Sequence, residues 1–227
     1  MTRGMRIALL LPVVLACFLP ATSRAAAPAS PGRLCLRAIA AAERGGALPP
    51  RLLDAIALVE TGRPDPRTGV VQPWPWTINA GGIARYFDSK AEAVAAARAL
   101  QAAGTQSVDV GCMQINLMYH PHAFASLDQA FDPQANAVYA ARFLQALFAE
   151  SRSWPVAAAD YHSQTPDIGA DYARRVLALW PEGALQAGAP ALARAGAWPH
   201  GPVAVMLPPD NAPIRVLPLA AALGGRS

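Results

Sequence analysis

The sequence predicts an α+β fold, mainly α-helical, with a small β-hairpin or sheet inserted after the second helix. Three observations carry this expectation. Apolar residues recur at helical spacing in several segments, each bounded by glycine, proline or a capping residue. One central stretch, TGVVQPWPWTIN at 68–79, is instead rich in β-branched and aromatic residues and runs into a Gly-Gly turn. The 227 residues suffice for one domain with a core and for little more.

The elements follow in order. RLCLRAIAAAER, 33–44, reads as a short helix stopped by Gly45 and Gly46. Pro49 and Pro50 stand where prolines open a helix, and RLLDAIALVE continues with apolar residues at helical spacing until Gly62 and Pro64. The run 68–79, the turn Ala80-Gly81-Gly82 and IARYF form a hairpin. Ser89 and Glu92 form a capping box, opening an alanine-rich helix that closes near Gly104. Residues 107–116 (SVDVGCMQIN) are extended or irregular. Asp132 followed by Pro133 caps a helix over 134–150, and shorter helices are expected at 154–162 and 170–180, the last stopped by Pro181. From 182 to 227 Pro, Gly and Ala dominate without sustained periodicity, which reads as a flexible tail touching down at VAVML.

Residues 1–27 read as a secretory signal peptide: Arg3 and Arg6, an apolar run from Ile7 to Leu19, then Ala25-Ala26-Ala27 as a cleavage pattern. The alternatives are a retained anchor, or a lipoprotein using Cys17, although the apolar run continues past that cysteine. Cleavage removes three arginines and no acid, leaving sixteen basic against fifteen acidic residues, so the formal charge falls from +4 to +1. No basic stripe with interleaved aromatics remains, which argues against nucleic acid as a partner. The expected location is periplasmic or secreted. There, Cys35 and Cys112 pair most simply as one disulfide; two buried free thiols are the alternative.

The sharpest chemical feature is DAIALVETG at 54–62. It leads a greasy helix into one carboxylate, Glu60. The negative end of the helix dipole and apolar neighbours both disfavour the ionised form. A glutamic acid kept protonated near neutral pH is what a glycosidic oxygen requires of a general acid. A surface glutamate at a frayed helix end is the plainer reading of the stretch taken alone.

Three segments, in order, resemble the catalytic domain of lytic transglycosylases, the soluble murein-transglycosylase (SLT) type with a goose-lysozyme-like fold. ALVETG (57–62) is similar to the family's helix-ending glutamate, DVGCMQIN (109–116) to its Gly-Leu-Met-Gln-Ile signature, and AADYHSQ (158–164) to its Ala-Tyr-Asn segment. The resemblance covers about 32–181 and not the tail. It implies a peptidoglycan lytic transglycosylase in which Glu60 is the single catalytic acid and base. Glu60 would protonate the oxygen between N-acetylmuramic acid and N-acetylglucosamine. It would then take the proton of the muramoyl 6-hydroxyl as that oxygen closes a 1,6-anhydro ring. An internal nucleophile removes the need for the second carboxylate of ordinary glycosidases. Asp54 and Asp109 are the nearby acids in sequence; Asp54, nearly two turns before Glu60, points away, and Asp109 is the minor candidate.

The same resemblance implies substrate-binding roles for Thr61, Met113, Gln114, Asn116, Tyr161 and His162. Thr61 replaces the usual serine and keeps a hydroxyl for Glu60. Gln114 would line the sugar site with Met113 packed beneath it. Tyr161 would hold the Glu60 carboxyl. His162 stands where the family often has asparagine, and can also donate one hydrogen bond. Cys112 replaces the signature's leucine, and its disulfide to Cys35 would tie the first helix to the floor of the site. The interval from Glu60 to Gly111 exceeds the family's usual length. Trp74, Trp76 and Tyr86 within it form either a sugar-stacking wall or plain hairpin core, with Asn79 a lesser glycan contact.

No cofactor or metal is expected. Peptidoglycan strands are the expected partner, a flagellar or secretion assembly is the candidate partner of the tail, and the chain is read as a monomer. Three rivals stand: a muramidase that uses water, an inactive glycan-binding module, against which the intact Glu60 argues, and an exported metal-binding protein built on Cys112, Met113, Met118, His120 and His122, whose soft ligands suit copper.

Overall fold

The computed structural model describes residues 30–180 and two strands, Val203–Met206 and Arg215–Pro218. The first helix, α1 (Pro31–Gly45), follows an extended Ser30 with proline in its first turn. It buries Cys35, Ala38, Ile39 and Ala42, one side of a helix at three- and four-residue spacing. The second, α2 (Leu52–Thr61), starts later than the Pro49-Pro50 pair suggests. Arg51 takes a left-handed conformation with φ 64° and has no side-chain cap. The cap comes instead from α1: Glu43 Oε1 accepts from the Leu53 amide at 2.8 Å and the Asp54 amide at 3.3 Å, while Oε2 accepts from Arg51 at 3.3 Å. A carboxylate on exposed helical N–H groups also complements the helix dipole. At the far end, the Gly62 amide bonds to the Leu58 carbonyl. A Cβ at Gly62 would collide with that carbonyl, so the exit from α2 needs glycine.

A two-residue strand, β1 (Arg63–Pro64), pairs antiparallel with β2 (Val71–Gln72). The expected hairpin forms with a shorter first arm: of 68–79 only the end joins it, as β3 (Thr77–Ala80) paired with β4 (Ile83–Tyr86) through Gly81 and Gly82 at φ 60° and 78°. Positive φ at both central residues suits the twist of a two-residue turn and favours glycine. Ser89 caps α3 (Lys90–Ala102) by accepting from the Glu92 amide at 3.2 Å. The return half of the expected capping box is displaced by one residue: Glu92 Oε2 accepts from the Asp88 amide at 3.3 Å. Residues 107–116 are resolved into β5 (Asp109–Val110), a tight turn and β6 (Ile115–Asn116). The sheet order is β4-β3-β5-β6, antiparallel throughout.

A single-turn helix, α4 (Leu127–Ala130), precedes α5 (Pro133–Ser151), whose cap is Asp132 accepting from the Ala135 amide at 2.9 Å. Then come α6 (Trp154–His162) and α7 (Pro166–Leu179), the latter beginning four residues before the expected start. Two further strands, β7 (Val203–Met206) and β8 (Arg215–Pro218), pair antiparallel with each other. They fall inside the expected tail; the rest of it lies outside the described residues, as do residues 1–27.

Two apolar clusters organise the fold. The larger gathers α1, α2, α5, α6 and α7 around Ile56, Leu144 and Trp180. The smaller packs the sheet against α3 and α4 through Ile78, Val110 and Phe131. The β5–β6 hairpin belongs to both, with Val110 in one and Cys112, Met113 and Ile115 in the other. Cys35 and Cys112 are disulfide-bonded, with Cα atoms 5.7 Å apart. Such bonds persist in oxidising compartments, which fits an extracytoplasmic location. Among the described residues, no helix is long and apolar enough to cross a membrane.

Candidate functional site

Glu60 occupies the last turn of α2, near the C-terminal end of α6 at His162 and the middle of α7 at Tyr172. Its side chain keeps 14% exposure, so the carboxyl is desolvated but not sealed. Burial is the main cause that raises its pKa from 4.5 to about 7. The nearby charge of Asp109 raises it further, whereas the Tyr172 hydrogen bond and the Arg175 charge oppose the shift. The group is therefore divided between acid and carboxylate near neutral pH, as a residue that gives and retakes a proton requires.

The hydroxyl on Glu60 is that of Tyr172, which donates to Oε1 at 2.7 Å. The Tyr161 hydroxyl, expected in that role, instead donates to the Met113 carbonyl at 2.8 Å. Tyr161 supports the turn that frames the site, and Tyr172 touches the acid itself. His162 lies flat on the Tyr172 ring, with centroids 4.5 Å apart and planes 2° from parallel. Its Nδ1 is 4.0 Å from Glu60 Oε1, and 41% of its side chain is exposed. Burial and the Arg175 charge push its pKa down, so it presents a neutral imidazole beside the acid. Arg175 reaches over the other ring of the stack, 5.4 Å from the Tyr172 centroid.

The other expected contacts divide. Gln114 has φ 48° and sends Nε2 to the carbonyls of Gly111 at 3.1 Å and Thr77 at 3.2 Å. Its Oε1 takes no bond from the described residues and is available to a ligand. Thr61, Met113 and Asn116 are tied into the framework around the site. Thr61 is fully buried; its hydroxyl lies 2.9 Å from the Cys112 carbonyl and 3.1 Å from that of Ala57, and it accepts from the Trp74 amide at 3.2 Å. It cannot serve Glu60 because its lone proton is spent on backbone. Met113 is also fully buried. Asn116 donates to Asp109 at 2.7 Å and accepts from the Met118 and Tyr119 amides, so its amide is committed to the loop.

Asp109 is half-hidden, its own pKa raised by burial and opposed by the Asn116 bond. Asp54 looks away from the site as expected: its charged neighbours are Glu43 and Arg51. Trp74 is core: 3% exposed, it donates Nε1 to the Phe87 carbonyl at 2.7 Å. Trp76 is partly buried against the smaller cluster, and Tyr86 is exposed. Arg63 lies between two rings, 4.5 Å from Trp74 and 4.9 Å from Tyr86, so an arginine fills the space of the expected sugar wall. Asn79 is half-buried on β3.

Sequence reasoning missed Asn136. Fully buried on α5, it accepts from the Met113 amide at 2.9 Å and donates to the Val110 and Ala130 carbonyls at 3.0 Å each. A lone asparagine on an otherwise apolar helix face was the available signal. The soft-ligand cluster is dispersed: Cys112 is in the disulfide, and His120 lies against Tyr139 and Phe143 with Nδ1 2.9 Å from the Tyr139 hydroxyl. Burial pushes His120 down to about 4, as suits a neutral histidine packed against aromatic rings.

Searches against family models, curated proteins and solved structures return no match.

Proposed function

We propose that the chain is a peptidoglycan lytic transglycosylase with a lysozyme-like fold, acting through Glu60. The observation that carries this reading is the Glu60 environment: a helix-end carboxyl at about 7, held by Tyr172, partly exposed and 4.0 Å from a half-exposed His162. In the first step, protonated Glu60 gives its proton to the glycosidic oxygen. The bond from that oxygen to C1 of N-acetylmuramic acid breaks, and the sugar's acetamide shields the resulting cation. In the second step, the Glu60 carboxylate takes the proton of the 6-hydroxyl while O6 bonds to C1. The products are a 1,6-anhydromuramoyl end and a free 4-hydroxyl on N-acetylglucosamine. No water enters, and Glu60 returns to its starting form.

Asp109 supports the cycle by keeping the Glu60 proton on until the glycosidic oxygen needs it. The Tyr172 hydroxyl is suited to steady the carboxylate between the two steps. Asp109 is also the observation behind the rival: a second carboxyl within electrostatic reach of the acid could direct water and make the chain a muramidase.

Digestion of purified peptidoglycan, read by mass spectrometry, separates the readings. The expected products are anhydro-muropeptides, with Glu60→Gln yielding none. Reducing muramic ends would assign a muramidase, and full lysis by Glu60→Gln would remove Glu60 from the chemistry altogether.

A further inference from the structure

The outer face of α1 carries Arg33, Arg37 and Arg44, with Leu36 between the first two. At 1.5 Å per residue they span about 16 Å. Facing them is the 65–72 loop, and the two walls enclose a groove of about 640 Å³ that also includes Val70 and Gln72. None of the three guanidinium groups has an ion pair among the described residues. The one acid on α1, Glu43, is turned away to cap α2. The cluster does not merely reflect a basic chain, because residues 30–180 hold thirteen basic and thirteen acidic side chains.

The opposite wall is fixed before any ligand arrives. Asp65 Oδ1 accepts from the Arg67 amide at 2.8 Å and the Thr68 amide at 3.1 Å, and Gln72 Nε2 bridges Asp65 Oδ2 and Ser30. Each wall also carries an apolar side chain, Leu36 on α1 and Val70 on the loop, 37% and 62% exposed. No Glu60-site residue lines the groove.

We propose that this groove docks an acidic, amphipathic segment of a partner protein. Three unpaired arginines call for carboxylates at matching intervals, and Leu36 with Val70 call for apolar side chains between them. A plain polyanion would leave these two apolar side chains wet. The chain's own residues 181–227 do not fit the charge, having Glu182 and Asp210 against Arg194, Arg215 and Arg226. The proposal is independent of the transglycosylase reading: it concerns a different face and a different ligand. It gives the chain a handle joined to the Glu60 region through the Cys35–Cys112 bond and the α2–β1 connection.

The test is fluorescence anisotropy on the full chain with three labelled 14-residue peptides: one of Glu and Leu at helical amphipathic spacing, one with Lys for Glu, and polyglutamate. The Glu/Leu peptide is expected to bind, more weakly as salt rises. Arg37→Glu with Arg44→Glu should weaken it about tenfold or more, and Leu36→Ala with Val70→Ala should weaken it without changing the salt slope. Peptidoglycan lysis, measured in parallel, should be unchanged in all variants. Equal binding by the charge-reversed chain would overturn the proposal, as would equal binding of the Lys peptide. Binding of polyglutamate or of soluble muropeptides as tight as that of the Glu/Leu peptide would assign the groove to anions or to glycan stems instead. Self-association abolished by the same arginine changes would give it to a second copy.

Discussion

At the residue scale the controlling quantity is where the Glu60 proton sits. Unfolded, the carboxyl ionises near 4.5; folded, it ionises at about 7. Between those values the folded chain holds a proton that the unfolded chain has released. Stability therefore falls as pH rises through this window, and the fully ionised state costs about 3 kcal/mol. Glu60→Gln removes the ionisation and keeps an oxygen for the Tyr172 hydroxyl. The variant should melt with the parent at pH 4 and above it at pH 8, by roughly 5 °C or more for a domain of this size. Scanning calorimetry at the two pH values checks this. An equal difference at both would mean that burial does not hold the proton, and the acid role would lose its physical basis.

At the element scale, the β5–β6 turn sets the geometry of the site. Gly111 has φ 84°, and a Cβ there would drive into the Asn136 amide. Asn136 in turn satisfies three backbone groups in a fully buried position. Asn136→Ala leaves them unpaired and should cost about 3 kcal/mol or more, with lysis falling along with stability. Gly111→Ala should do the same by backbone strain and collision. Urea unfolding of both variants tests the turn's role, and a loss below roughly 0.5 kcal/mol in either would show that the turn can relax. Much of this scale was legible in the sequence. Ser89 and Asp132 cap as expected because a cap acts on amides two or three residues away. The start of α2 was misread because its cap, Glu43, comes from another helix. The two-residue strands β1 and β2 are too short to carry any alternation to read. Thr61 and Tyr161 were placed near the right atoms but assigned the wrong partners, since sequence order does not tell which neighbour a hydroxyl will reach first.

At the scale of the whole molecule, the site exists only where distant segments meet. Tyr172 reaches Glu60 across 112 residues and Tyr161 reaches the Met113 carbonyl across 48. No local pattern announces Tyr172, which reads simply as the buried face of an amphipathic helix. The disulfide is the one long-range link that cysteine count and compartment could foresee. Its two cysteines are 77 residues apart and fully buried, joining α1 to the turn beside Glu60. Closing a loop of that length in the unfolded chain contributes about 4 kcal/mol of stability by chain entropy. The turn, however, is also held by the Thr61 bond to the Cys112 carbonyl, the Asn136 bond to the Met113 amide and the Tyr161 bond to the Met113 carbonyl. Those three bonds lie on α2, α5 and α6, so the site's geometry has support that survives loss of the sulfur bridge. Cys35→Ala with Cys112→Ala should therefore lower the melting temperature by on the order of 10 °C while lysis at 25 °C stays within about threefold of the parent. Loss of lysis in a variant that still melts cooperatively would mean that the bond positions Glu60 as well as stabilising the fold. An unchanged melting point would mean that the unfolded chain was already constrained without it.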